Sequence, residues 1–508
     1  MRSDGEKEHL SLSSSPHPPP PVLDRLASLV EKSLLRVEAW MDGEPRFRML
    51  ETIREFAAER LGAMGEAEAT RDRHLDHYLA LAEQAQQEML GARHADWVAP
   101  VARNRELENL RAALAWSQMR LRLVAGTEGT ETALRLAAAL AGFWDPFGLW
   151  QEGYRWLTEA LTHADAAAAN GAPRSTPGRA QALYGAGVLA NNYVTSTARA
   201  YFEASLAICR ELGDLHGCAD ALEELGIIAQ QRDHDHGAAR ILFAEALTAL
   251  RASPERLRLT RLLIQLGWLA MQRGDRREAV AALQEGIALA RAEDDQHEVG
   301  RGFLRLGELA QEEGDYAQAA AYHQESLTAH RAAGDEDGAG YSLHHLAEVA
   351  RLRGRYGQAV ALYEECLAIF RPDPASVWIV ARSQQGLGDA YLQQGDRQRA
   401  AALFRDSLRF FAQSVNQRLI AVSLAGLAAV ARADGMLDDA ARLLGVVAAL
   451  LERLSLRLPA ADQAAYEREL ALLRSNLSEP LIAHAWASGQ ALTLEQAVAE
   501  ALAEESEM

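Results

Sequence analysis

Few groupings of side chains in this sequence have the types and spacing that chemistry needs. His234-Asp235-His236 sets two imidazoles and a carboxylate within three residues, which is metal-ligand chemistry. Two histidines alone make a weak site, and the triplet falls in a turn, so a solvated loop is expected there. His344-His345 are neighbours on a helical stretch, so their side chains diverge by about 100° and do not chelate together. Glu223-Glu224 and Glu364-Glu365 could act as paired acids, but at these positions they read as ordinary solvated helix charges. There is no Gly-x-Ser-x-Gly elbow for a nucleophilic serine. There is no Gly-Lys pair for a phosphate-cradling loop. Cys209, Cys218 and Cys366 have no metal spacing, and an odd, sparse count fits a reducing cytosol. The expectation is a non-enzymatic chain with no catalytic residue, no metal and no cofactor.

The elements that would position any site come from a repeat. Arg301–Phe370 states one pattern twice. Leu306-Gly307, Gly314-Asp315-Tyr316, Ala319 and Ser326-Leu327 return as Leu346-Ala347, Gly354-Arg355-Tyr356, Ala359 and Cys366-Leu367. The first small residue of the frame falls at Gly187, Gly226, Gly267, Gly307, Ala347, Gly388 and Ala428. A weaker eighth copy holds Ala141, Gly148, Gly153 and Ala160-Leu161. Self-similarity at such a period marks a solenoid of stacked units. Apolar residues at three- and four-residue spacing make each unit a helical hairpin. Glycine then takes the left-handed position that ends one helix, and aspartate opens the next, as at Gly274-Asp275, Gly314-Asp315 and Gly395-Asp396. Small residues such as Gly307, Ala319 and Ser326 let two helices approach to about 8–10 Å. A leucine there would overpack, at roughly 1–3 kcal/mol.

These landmarks, above all the Leu-Gly pairs, the Gly-Asp-Tyr turn and the small-Leu pair, resemble the tetratricopeptide repeat. Its usual period is about 34 residues, and the longer frame here resembles large bacterial transcription regulators of the maltose-activator type. The resemblance implies an all-α superhelical solenoid of about eight hairpins over residues 130–450, with capping helices over 451–508. In that family ligands lie against the first helix of each hairpin. Carried over by frame, the groove would hold Tyr184, Asn191, Glu223, Gln230, Arg261, Trp268, Arg301, Glu308, His344, Glu348, Arg382 and Asp389. Arg261, Arg301 and Arg382 would align in a row able to fork onto the carboxylates of an acidic peptide or ligand. The alternative is that they pair with Glu308, Glu348 and Asp389 one turn on. Trp268 would be an anchor for a ligand or packing between repeats. Thr493 and Gln496 have the spacing of a capping box.

Upstream, residues 1–21 are polar and proline-rich and should form a disordered tail. Residues 22–62 read helix, hairpin, helix, with strands over Leu34–Trp40 and Arg46–Leu50 around Met41–Glu44. An apolar stripe of Ile53, Phe56, Ala57 and Leu61 follows on the second helix. The runs Ala27–Leu35, Pro45–Ala57 and Asn109–Trp116 are similar to the winged-helix segment of bacterial signal-transduction ATPases and LuxR-type regulators. In those proteins a nucleotide-binding core precedes this segment. No phosphate loop precedes it here, so the resemblance implies a partial winged-helix unit, a split or degenerate regulator, and no carried-over ATP hydrolysis. Residues 63–129 should be connecting helices, with Glu66–Leu90 one long helix (Leu75, Tyr78, Leu79 and Ala82 inward), Trp97–Trp116 one or two more, and Met119–Thr130 a short linker. Gly171–Gly178 is the candidate hinge.

Charge narrows the partners. The formal net charge is −19, with 52 Lys/Arg against 71 Asp/Glu. Residues 22–120 carry 14 basic and 17 acidic residues. That balance opposes broad phosphate-backbone binding. No apolar run reaches the ~18 residues of a membrane span. The expected role is a cytoplasmic binding scaffold, the sensor half of a signal-transduction ATPase-type transcriptional regulator. Its partner would be a protein or peptide, a small-molecule effector, or a separate ATPase or DNA-binding subunit. The alternative is a regulator that itself contacts DNA through the winged unit, with Arg46, Arg48 and Arg54 on or beside the wing.

Overall fold

The computed structural model describes residues 21–38, 46–88, 106–123, 127–144, 148–193, 197–252, 256–370, 376–413, 416–454, 457–458, 460–476 and 479–503. The chain divides into two units, Met1–Tyr78 and Leu79–Met508.

In the first unit the helix Pro21–Glu31 leads into antiparallel strands Leu35–Glu38 and Arg46–Met49, then the helix Glu51–Ala63. The register sets Leu35 opposite Met49 and Arg36 opposite Arg48. The expected turn Met41–Glu44 and tail 1–20 lie outside the described residues. The apolar stripe on Glu51–Ala63 is not buried: the helix has no buried residue and Phe56 is 57% exposed. Two short strands are too narrow to cover a helix face.

The second unit is all α-helical, a solenoid of tandem hairpins. Seven first helices, Pro177–Tyr193, Leu215–Gln231, Arg256–Gln272, Gln296–Glu312, Glu336–Leu352, Val377–Gln393 and Gln417–Ala433, each pair with the helix that follows. The weaker eighth copy is Thr127–Ala139 and Ala141–Trp144 with Trp150–Ala169. The linker expected over Met119–Thr130 is shorter: one helix runs to Leu123, the next starts at Thr127, and 124–126 lie outside the described residues. Met, Arg and Leu are strong helix formers and simply continue the turn.

The turns follow the local chemistry. Gly314 takes φ +78°, its N–H donates to the Gln311 carbonyl, and the Asp315 N–H donates to the Ala310 carbonyl. The Asp315 carboxylate then accepts from the Gln318 N–H at 3.0 Å. This closes one helix and caps the next, each cap contributing roughly 1 kcal/mol. Asp214, Asp275 and Asp335 cap in the same way.

Each hairpin is then locked by a large residue of its second helix against the small residue of its first. A Cβ built on Gly187, Gly226, Gly267 or Gly307 would meet Phe202, Phe243, Leu283 or His323 at 2.3–2.6 Å. The same place in the next two hairpins holds Tyr363 and Phe404. Five of these six large residues have 0% exposure and Phe404 has 3%. In only two neighbouring repeats, those of His323 and Tyr363, is the large residue polar, and a buried polar cluster is built around them.

At the end of the solenoid the helices Glu479–Gln490 and Leu494–Ala503 pack on Leu437–Arg453 and Arg397–Gln413. Gly489 lies so close that a Cβ would meet the Arg442 carbonyl at 2.0 Å. Thr493 and Gln496 form the expected reciprocal capping box, at 2.9 and 3.2 Å. The helix Ala460–Asn476 does something else. It lies against the first helix Gln417–Ala433 and the second helix Leu437–Arg453, with Glu469 accepting from Arg432 at 2.5 Å and Asp462 reaching back to Arg382.

Candidate functional site

The triplet at 234–236 is used by the backbone. His234 holds the left-handed position at φ +53° that glycine fills in other repeats, and the Asp235 side chain caps the next helix through the Ala238 N–H. His and Asp tolerate these roles better than most residues. Cys366 is fully buried at a small-residue position, and burial pushes its thiol up to about 11. Gly171–Gly178 is tied at several points, with Ser175 on Glu211 and the Gly178 N–H on Glu131.

The first-helix residues sort into groups. Arg261 forks onto buried Glu223 at 3.0 Å from both Nε and Nη2, reaching back one repeat. The Glu223 carboxylate holds the Arg261 guanidinium well above its ordinary range. Tyr184 packs on Phe202, its ring 5.6 Å away. Gln230 donates to Gln272, and the backbone carbonyl of Asn191 accepts from Arg232. Arg301 pairs with Glu298 three residues back at 2.7 Å. Trp268 lies under the Arg305 guanidinium of the next repeat at 4.6 Å, an inter-repeat contact. Each of the three arginines therefore has a carboxylate partner, but not the one a turn ahead. The partners are Glu223, Glu298, and, for Arg382, Glu348 and Asp462. Arg261 and Arg382 bond across repeats because stacking brings equivalent positions of neighbouring first helices side by side.

His344, Glu348, Arg382 and Asp389 are brought together, and the structure adds Arg351, Tyr363, Ser383 and Asp462 to them, while Glu308 stays one repeat back, paired with Arg305 at 2.8 Å. Arg351 donates to Glu348 at 2.8 Å and to Asp389 at 2.7 Å. The Tyr363 hydroxyl donates to Glu348 at 2.5 Å. Arg382 donates to Gln385 at 3.1 Å and Asp462 at 3.0 Å, and lies 3.5 Å from Glu348. Burial alone would raise the Glu348 carboxyl, but Arg351 and Arg382 outweigh it and hold it well below the usual range. Asp462 is pushed the other way, upward, because its burial exceeds the help of the arginines. With all groups charged the cluster holds three carboxylates against two guanidiniums, and Asp462 is the least welcome. His344 accepts from or donates to Ser383 at 2.8 Å. Burial, then neighbouring His345, lowers it to about 3, so it is a neutral imidazole. His345 turns toward the preceding repeat, stacked on buried His323 at 4.9 Å and 3.4 Å from Glu308.

Beside Asp462 opens a small cleft of about 50 Å³ between Val377–Gln393, Gln417–Ala433 and Ala460–Asn476. Arg351, Asp389, Phe404, Leu458 and Tyr466 line it. At that size it has room for a few water molecules or the tip of one side chain, well short of a drug-sized ligand. Sequence reasoning missed Tyr363, whose signal was a hydroxyl at a place where other repeats carry Phe or Leu.

A second group, also missed, joins three consecutive helices. His297 Nδ1 and His330 Nδ1 each lie 2.8 Å from Asp335 Oδ2. The ligand-capable atoms of these residues all fall within 4.8 Å of one another.

The chain matches the family described as "Tetratricopeptide repeat" over residues 260–293, 299–371 and 380–416. It matches "Winged helix-turn-helix domain" over residues 8–62. That match starts upstream of Val22, where the sequence pattern alone set the unit. Proteins named as HTH-type transcriptional regulators in Mycobacterium tuberculosis and Mycobacterium bovis are 34% identical over 274 residues, covering 52% of this chain and 28% of theirs. The chain thus spans about a quarter of the length of those relatives. Among solved structures, the apo quorum sensor NprR of B. thuringiensis is 14% identical, with a TM-score of 0.48 over 80% of this chain and 99% of that one. A signal transduction ATPase with a tetratricopeptide repeat sensor from Pyrococcus horikoshii is also 14% identical, with a TM-score of 0.41 over 67% and 55%. The chain carries tetratricopeptide repeats and a winged-helix segment.

Proposed function

We propose that this tetratricopeptide-repeat chain is the sensor part of a transcriptional regulator, a non-enzymatic scaffold that takes up an acidic segment of a peptide or protein. Arg351 and Arg382 are the receptor groups. The observation that carries the reading is Asp462: a helix from outside the hairpins, Ala460–Asn476, already sets a carboxylate on Arg382 in the first-helix face. An acidic partner helix would make the same contact by displacing it. The upward push on Asp462 means its charged form is held at a cost, which leaves room for a better-matched acid. The small cleft alongside would take the tip of an apolar side chain of the same partner. The regulator role rests on the names of the relatives and on the winged helix-turn-helix match. A separate ATPase or DNA-binding subunit would complete such a system.

The test uses a fluorescent peptide of residues 460–476 and the full chain. Asp462→Ala should open the receptor and bind the peptide at least tenfold more tightly than wild type. Asp462→Ala combined with Arg382→Ala should lose that gain. Equal binding by all three proteins would refute the reading.

A second reading has one observation in its favour. The wing register places Arg36 directly opposite Arg48, two exposed cations on one face. Exposed arginines on one face are the kind of group that contacts a DNA phosphate backbone. Arg54, beside the wing, pairs with Glu51. Duplex binding that falls with salt, and falls further in Arg36→Ala, would support DNA contact by this unit.

A further inference from the structure

We infer that His297, His330 and Asp335 form a binding site for a borderline divalent cation of the Zn2+ type, placed where three consecutive repeat helices meet. His297 starts the helix Gln296–Glu312, His330 ends Tyr316–Ala332, and Asp335 caps Glu336–Leu352. One ion would therefore pin the junction of two repeats.

Two imidazole nitrogens and one carboxylate oxygen are a donor set that suits Zn2+ and its neighbours. The two separations of 2.8 Å and the overall span of 4.8 Å bracket the spacing of about 3.4 Å that a tetrahedral ion with bonds of about 2.1 Å imposes. Small side-chain rotations bring all three to it. Asp335 has two oxygens and two uses for them. Oδ1 accepts from the Gly338 N–H at 2.9 Å as the helix cap, and Oδ2 faces the histidines. The ion would not cost the cap.

An independent observation comes from His330. It is 1% exposed, and neither ring nitrogen makes an aligned hydrogen bond, although Nδ1 lies 2.8 Å from Asp335. A buried imidazole with no partner at Nε2 and only a poorly aligned carboxylate at Nδ1 costs free energy that an apolar side chain would not. The equivalent position in other repeats holds Leu250, Ala290, Phe370, Phe411 and Leu451. Gly300 and Gly338 supply the room, since a Cβ at either would meet the His330 ring at 2.7 or 2.2 Å. A histidine in an apolar place, cradled by two glycines and aimed at a carboxylate and a second histidine, has a use as a ligand. Three protein donors leave a position for water or for a partner's side chain. The exposed flank of His297 gives the ion its way in.

The experiment is metal uptake by the full chain. Protein dialysed against Zn2+ and then against metal-free buffer would be assayed for bound zinc, and Co2+ would be titrated while its visible absorption is read. Two variants accompany the wild type. His297→Ala removes a half-exposed donor and leaves the packing alone. His330→Leu restores the residue type found at Leu250 and Leu451. Wild type should keep about one zinc per chain and show the Co2+ band of a nitrogen and oxygen site. Both variants should lose them while remaining folded by circular dichroism. No retained zinc in wild type, or equal uptake by wild type and both variants, would overturn the proposal. Loss of zinc only in a variant that has also unfolded would count against it as well, because His297→Ala has no structural reason to unfold.

Discussion

Lowering the pH should loosen this protein at His344, by an amount that the burial of its ring sets. The folded protein holds His344 at about 3, against an ordinary value near 6.5. Burial is the main cause, with His345 and the Arg382 and Arg351 guanidiniums acting in the same direction against Glu348. A depressed histidine prefers to be neutral in the folded state. Its contribution to stability is therefore fully present above pH 6.5 and is lost as pH falls toward 3. At pH 5 the unfolded chain gains about 1.5 pH units of protonation that the folded chain refuses. At roughly 1.4 kcal/mol per unit that is a loss of about 2 kcal/mol. The perturbation is His344→Gln, which keeps a polar group for Ser383 and removes the titration. The assay is urea unfolding of both proteins at pH 7.5 and pH 5.0. Buried His323, also held well below its ordinary range, adds a loss of the same sign to both proteins and cancels in the comparison. Wild type should lose about 2 kcal/mol more than the variant between the two pH values. Equal losses in the two proteins would refute the claim that His344 is a neutral, sealed imidazole.

Two further predictions concern the repeat itself. Gly226→Ala places a methyl carbon 2.3 Å from the buried Phe243 ring, so overpacking of about 1–3 kcal/mol should exceed the helix gain of about 1 kcal/mol and lower the denaturation midpoint. Gly388→Ala at the equivalent place meets Phe404 only at 3.2 Å, so the helix gain should prevail and the midpoint should hold or rise. Asp294 sits at φ +55°, and Asp294→Gly should stabilise by about 1 kcal/mol, read as a raised midpoint; the exposed contact it gives up, to Gln296, is worth little.

Everything legible before folding rests on short-range signals. The 40-residue frame named the small positions but not the large residues, such as Phe202 and Phe243, that fill the space beside them. Gly-Asp dipeptides set helix ends because a left-handed glycine and an aspartate cap need only a few neighbouring backbone groups. The Thr493-Gln496 box was legible for the same reason. The first-helix residues were nameable by frame, including four of the members of the buried cluster.

Packing between repeats set the remainder. Arg261 finds its carboxylate one repeat back, at Glu223, rather than one turn on, because stacking places equivalent side chains closer than a helical turn does. Asp462 reaches Arg382 across 80 residues, and no local pattern marks Ala460–Asn476 as the helix that turns back onto the first-helix face. His297 and His330 meet only because the hairpin between them folds back on itself and returns its end to its start. Burial then did what composition cannot. It neutralised His344, pushed Asp462 and Glu348 in opposite directions, and turned ordinary surface residue types into a cluster whose charges depend on one another.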